Sequence, residues 1–127
     1  MYSYSIYRDS ILWLVVKNMD PELIKGTLSL LILSLLNRRP MYGYEIVTTV
    51  AKETEGAFEW KAGSLYPSLH KLEKDGLVKG QWRGDPGSRR RKYYHLTEAG
   101  RAVLEEKQES WGRIFRAVNQ VLENSNE

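Results

Sequence analysis

Residues 63–97 read GSLYPSLHKLEKDGLVKGQWRGDPGSRRRKYYHLT, and between Gly63 and Thr97 they hold a helix, a stop, two strands and a cap in succession. At 100° per residue, Leu65, Leu69 and Leu72 fall on one stripe of a helix expected over about Ser64 to Asp75. Ser64, Pro67, His70, Lys71 and Lys74 fall on the opposite side, with Tyr66 on the flank. Pro67 is tolerated in the first turn, where its missing amide would have no partner anyway, and Gly76 stops the helix. Leu77 to Arg83 and Arg89 to Leu96 then read as two strands. Their connection, Gly84, Asp85, Pro86, Gly87 and Ser88, is turn chemistry throughout.

Outward from this stretch the chain continues helical on both sides. Thr97 caps a last helix running to about Glu123. Its apolar residues recur every seventh position, as Leu104, Trp111 and Val118, as Ile114 and Val121, and as Phe115 and Leu122, which describes a seam. On the N-terminal side, Tyr42 to Glu53 carries Ile46, Val47, Val50 and Ala51 at helical spacing. Asp20, Pro21 and Glu22 form a helix-start signature ahead of a first helix from Pro21 to about Asn37. That helix bears Leu23, Ile24, Leu28, Leu30, Leu31, Ile32, Leu33, Leu35 and Leu36, so it is apolar nearly all round and needs cover on more than one side. Residues 1–18 hold a six-residue apolar run, Ile11 to Val16, too short to cross a bilayer and without a signal peptide's cationic start. They read as an N-terminal extension: a strand or helix packed on the domain, or the product of an upstream start codon with Met19 as the natural start.

The chain has 127 residues, 42% of them hydrophobic, enough for one core with an appended helix. It has no cysteine and two histidines, His70 and His95, without clustered carboxylates. Disulfides, thiolate zinc sites and cysteine nucleophiles are thereby excluded, and no metal or cofactor is expected. The net charge of +3 is unevenly spread: Lys61 to Lys92 contains nine Lys/Arg and three Asp/Glu, a local +6, which leaves −3 for the rest. A basic block on a mildly acidic protein suits a polyanion.

Three helices, a basic hairpin and a long helix form the layout of a winged helix-turn-helix with a dimerising arm, a mainly α fold with a small β-hairpin. The expected boundaries are an extension at 1–18, a DNA-binding domain at 19–96 and a dimerisation helix at 97–127. An exposed helix face carrying hydroxyl, imidazole and ammonium donors fits the major groove. Arg83 and the run Arg89, Arg90, Arg91 and Lys92 flank a flexible tip and can reach phosphates or a minor groove. Candidate DNA contacts are therefore Tyr42, Lys61, Ser64, Tyr66, Pro67, His70, Lys71, Lys74, Arg83, Arg89, Arg90, Arg91 and Lys92. Tyr94 and Leu96 share one strand face and are expected to pack, and Trp60 and Trp82 are assigned to core or rim. For Tyr42 and Tyr44 the spacing does not decide which packs and which reaches a phosphate.

The sequence resembles the PadR family of bacterial transcriptional regulators over about Met19 to Leu122. The resemblance is carried by Gly26-Thr27-Leu28, by Tyr42-Gly43-Tyr44-Glu45-Ile46, and by the run from Gly63 through Glu73. It continues in Gly76-Leu77-Val78 and in the run Arg91 through Gly100. It implies a homodimer, commonly a repressor, whose third helix reads operator DNA while the wing contacts its backbone. The single C-terminal helix is similar to that of short-armed members, some of which sense aromatic compounds in a pocket at the dimer interface and carry a tryptophan on the arm, as Trp111 is here. The dimer seam is then Leu104, Trp111, Ile114, Phe115, Val118, Val121 and Leu122. Leu23, Gly26, Leu30, Trp111 and Phe115 are the candidates for an aromatic effector. Trp111 has two readings, as a filler of the seam or as half of a sandwich around a flat ring.

The alternative is a winged-helix module for protein contacts without DNA binding, whose signature would be a neutral wing and third helix; here both are basic. An enzyme is not supported, since no nucleophile, base and orienting group can be assembled. Absent targeting signals and a chromosomal partner imply a cytoplasmic protein with no membrane partner.

Overall fold

The structure, a computed structural model, describes residues 21–125, with side chains from residue 26 onward. The expected extension at 1–18, the Asp20 cap and the Leu23 side chain lie outside the described residues. The elements run α1 (Pro21–Arg38), β1 (Met41–Tyr42), α2 (Gly43–Glu53), α3 (Ala62–Lys74), β2 (Val78–Arg83), β3 (Arg91–Leu96) and α4 (Glu98–Ser125). The sheet is antiparallel in the order β1-β3-β2.

One core joins all of these elements. Leu28, Ile32, Leu33, Leu35 and Leu36 of α1 meet Met41, Ile46 and Val50, the α3 stripe Leu65, Leu69 and Leu72, and Val78, Tyr94 and Leu104. The expectation that α1 needs cover on more than one side is met in part within the chain, because α4 packs along it. Leu104 is 2% exposed and belongs to this intramolecular core, which takes it out of the free seam proposed for the last helix. Trp60 is also core, while Trp82 is exposed on the wing.

The hairpin expected from the sequence gains a third strand. Met41 pairs with Tyr94 and Tyr42 with Tyr93, so the chain segment between Pro40 and α2 is extended, with Tyr42 at φ −91° and ψ 166°. Two residues are too few to show an alternating pattern. The second strand begins at Arg91 rather than Arg89, which puts Arg89 and Arg90 in the wing tip, where Gly84 (φ +139°) and Gly87 (φ +89°) take positive-φ conformations that other residues rarely adopt.

Thr97 does more than cap α4. Its hydroxyl accepts from the Gly100 amide at 3.0 Å and donates to the Gly76 carbonyl at 2.7 Å, while its own amide donates to the Leu77 carbonyl at 3.1 Å. A Cβ on Gly100 would overlap that same Leu77 carbonyl. The start of the arm is thereby seated directly on the turn that ends α3. Among the described residues no helix is long and apolar enough to cross a membrane, and no group of His, Cys, Asp or Glu side chains could hold a metal.

Candidate nucleic-acid interface

The leucine stripe fixes which face of α3 is free. With Leu65, Leu69 and Leu72 buried, Ser64, Tyr66, Pro67, His70, Lys71 and Lys74 are exposed, as is Lys61 just ahead of the helix. Lys71 forms an exposed pair with Asp75 at 3.4 Å, an i,i+4 contact too weak to hold the ammonium away from another partner. Tyr66 leans across to α2, where its hydroxyl takes up the space a Cβ on Gly43 would need. Gly43 thus lets α2 and α3 approach closely enough for the tyrosine to lie between them.

The wing stands beside this face. Tyr42, Tyr66, His70, Trp82, Arg89, Arg90 and Arg91 line a cleft of about 610 Å³ between α3, the start of α2 and the hairpin. Three wing guanidiniums lie over rings: Arg91 is 4.5 Å from the centroid of Tyr42, Arg83 is 4.7 Å from Tyr93, and Arg90 is 5.7 Å from Trp82. Tyr42 and Tyr93 meet edge to face at 5.4 Å, linking two of these stacks. The rings orient the arginines, whose side chains stay solvent-accessible. Of the two tyrosines whose spacing left the choice open, Tyr42 is half-buried inside this stack and Tyr44 is exposed.

Lys92 departs from its neighbours. Its ammonium lies 3.1 Å from the Glu73 carboxylate and is half-buried, so it faces α3 rather than solvent. Glu73 also accepts from the Gly80 amide at 2.8 Å. That amide and then Lys92 hold the Glu73 carboxyl below the usual carboxylate range, and Glu73 in turn raises Lys92. Burial pushes the Tyr94 phenol up. Tyr94 is enclosed and Leu96 packs on the core, as their shared strand face implied.

The family model of the PadR-like transcriptional regulators matches residues 32–106, which takes in the α3 face and the whole wing. The chain belongs to the PadR-like family. A PadR-family regulator from Eggerthella lenta has a similar structure, with a TM-score of 0.71 and 36% identity over 94% of this chain and 97% of that one. A PadR-like regulator from Bacillus cereus is similar at a TM-score of 0.70 and 36% identity, covering 80% of this chain and 96% of that one. The transcriptional regulator YqjI of Escherichia coli K12 is 34% identical over 84 residues, 66% of this chain but 39% of its own length. This PadR-like chain is accordingly a DNA-binding transcriptional regulator of winged-helix fold.

Several residues of the interface escape sequence reasoning. Trp82 is 58% exposed and lines the cleft. From sequence it falls to core or rim because no phosphate cradle or charged anchor is seen around it; the neighbouring Arg83 and the arginines across the hairpin were the usable signal. Glu73, Gly80, Tyr93 and His95 gain their roles only through contacts between elements, Glu73 from the helix to the sheet and the others across the sheet or hairpin; His95 Nε2, for example, lies 3.3 Å from Arg83 Nη2. Apart from this cleft, Gly26, Leu30, Val103, Trp111 and Ile114 line a groove of about 370 Å³ between α1 and α4, with Phe115 stacked on Trp111 at 6.3 Å.

Proposed function

We propose that the protein is a homodimeric repressor that binds an inverted-repeat operator, reading bases with the outer face of α3 and gripping phosphates with the wing arginines. The observation that carries this reading is the shared cleft. Tyr66 and His70 of α3 and the guanidiniums of Arg89, Arg90 and Arg91 line one cleft, so donors from the helix and cations from the wing face the same space. Ser64, His70 and Lys71 are the base-reading candidates, with Lys61, Tyr66, Pro67 and Lys74 around them. Repression rather than activation follows the common behaviour of the family.

Dimerisation is supported by α4. Beyond Leu104 none of the described residues encloses its apolar stripe, and among them Trp111, Ile114, Phe115, Val118, Val121 and Leu122 are all exposed. A continuous stripe of that kind marks an interaction surface, and a second copy of the same arm covers it with two-fold symmetry. The groove at Gly26, Leu30 and Trp111 adjoins this stripe, so a planar aromatic compound bound there would release the operator if it favoured the DNA-free form.

The test begins by sequencing genomic fragments retained by the protein. Binding of the recovered duplex is then titrated with salt and with planar cationic and phenolic compounds, following Trp fluorescence and operator release. An inverted repeat with half-sites about one helical turn apart is expected. Recovery of fragments without a shared sequence would remove the operator reading. Release that persists unchanged in Trp111→Ala would remove the effector site.

A further inference from the structure

We infer that Glu73 is a positioning residue, a brace on the inner side of the reading helix that sets the angle of the wing by holding Lys92 and the backbone of Gly80. The inference rests on the reading of α3 and the wing as one DNA surface.

Three features of the structure converge on it. First, among the described residues β2 is an edge strand, and in the β2–β3 ladder Gly80 stands opposite Tyr94. Its amide donates to Glu73 Oε2 at 2.8 Å, so an α3 side chain takes the place of a further strand. Second, Lys92 stands opposite Trp82, one pleat along on the same face as Gly80, and passes over Gly80 to meet Glu73 Oε1 at 3.1 Å. Third, the path as it stands uses the space left by a glycine at residue 80, and an alanine there would make the ends of both side chains shift. A Cβ there would overlap Lys92 Cε and come within 2.9 Å of Glu73 Oε2. One carboxylate thus fixes both strands of the wing to the helix whose outer face carries His70 and Lys74. Lys92, though part of the basic run, acts inward, leaving Arg83, Arg89, Arg90 and Arg91 as outward cations beside the exposed Lys79.

Electrostatics alone makes the opposite prediction for the obvious substitution, and this separates the two explanations. Glu73→Gln removes a negative charge beside a DNA surface, so a purely electrostatic role for Glu73 predicts tighter binding to every duplex. A brace predicts a loss of discrimination. The experiment measures affinity of the full chain for the duplex recovered from genomic fragments and for a scrambled duplex of equal length and composition, in wild type, Glu73→Gln, Lys92→Met and Gly80→Ala. In all three variants the ratio of the two affinities is expected to fall by about tenfold, the scale of one base pair's discrimination. Gly80→Ala does so with no change in charge, and Glu73→Gln combined with Lys92→Met falls no further than either alone. Cooperative thermal unfolding identifies the variants that keep their fold; if Gly80→Ala does not, the two side-chain variants and their combination carry the comparison. The brace is overturned if Glu73→Gln tightens both duplexes equally, or if Lys92→Met only makes the salt slope shallower while the ratio holds. A wild-type protein unable to distinguish the two duplexes would remove the DNA reading itself, and the inference with it.

Discussion

Arg83 and Arg91 stand directly opposite each other on the wing ladder, where like charges repel. The faces of their rings, Tyr93 and Tyr42, offset part of that repulsion, and the positive charge left uncompensated is available to a phosphate. Arg91→Gln is therefore expected to raise the melting temperature slightly while weakening binding to all duplexes, with a salt slope shallower by about 0.9 for each phosphate that is no longer neutralised. Thermal unfolding and salt-titrated binding check the two halves, and a variant less stable than wild type contradicts the account. On α3, replacing Ser64, His70 or Lys71 should cost about 1 to 3 kcal/mol at one position of the site and reorder the ranking of operator variants. Competition among single-base operator variants measures it. At this scale the sequence was legible where periodicity decides: 3.6-residue spacing separated Leu65, Leu69 and Leu72 from His70 and Lys71 without any structure, whereas Pro67, expected in the first turn, is the sixth residue of a helix that begins at Ala62. Lys92 was misread as outward because its partner, Glu73, is 19 residues away, and no local pattern reports a contact across that distance.

Among the elements, the seat of α4 on the α3 turn is tight. Gly100→Ala must displace the Leu77 carbonyl, and overpacking of this kind typically costs about 1 to 3 kcal/mol. Denaturant unfolding checks this, and a neutral result would show that the joint can yield. The brace also has a pH signature. Because the folded-state value of Glu73 is depressed, its contribution is complete above the ordinary carboxylate range and is lost as pH falls through the depressed value. Lys92 is raised, so its contribution is complete below the ordinary lysine range and is lost as pH rises through the raised value. The stability gap between wild type and Glu73→Gln should thus be widest between those ranges and narrow in strong acid, as read from melting curves at several pH values. Helices, hairpin and turn glycines were legible because each has a local cause: leucine spacing, β-rich runs, and Gly76, Gly84 and Gly87 at positive φ. β1 was not, since Met41 and Tyr42 become a strand only by pairing with Tyr93 and Tyr94, far along the chain.

For the molecule as a whole, the apolar surface of the arm sets the expected assembly. Pairing of the stripe from Trp111 to Leu122 buries side chains worth about 1.5 to 3 kcal/mol each, so sedimentation at micromolar concentration should show a dimer. Replacing Ile114 and Val118 together by Asp should give monomers with weakened operator binding. A wild-type monomer would contradict the assembly. The seam's period was plain in the sequence, but its upper limit was not: Leu104 shares the heptad of Trp111 and Val118 and yet is enclosed by its own domain, because periodicity shows which residues face one way and not what they face. The seating of Thr97 on the Gly76 and Leu77 carbonyls makes arm and reading helix a single lever. At 28 residues, α4 extends about 42 Å, so a tilt of about three degrees at the seam swings its far end by about 2 Å. That displacement exceeds the spread of distances over which a hydrogen bond to a base edge survives. In a dimer joined through these arms, the separation of the two reading heads is consequently gauged at the seam, and a change there too small to disturb the fold is large enough to put the heads out of step with the groove.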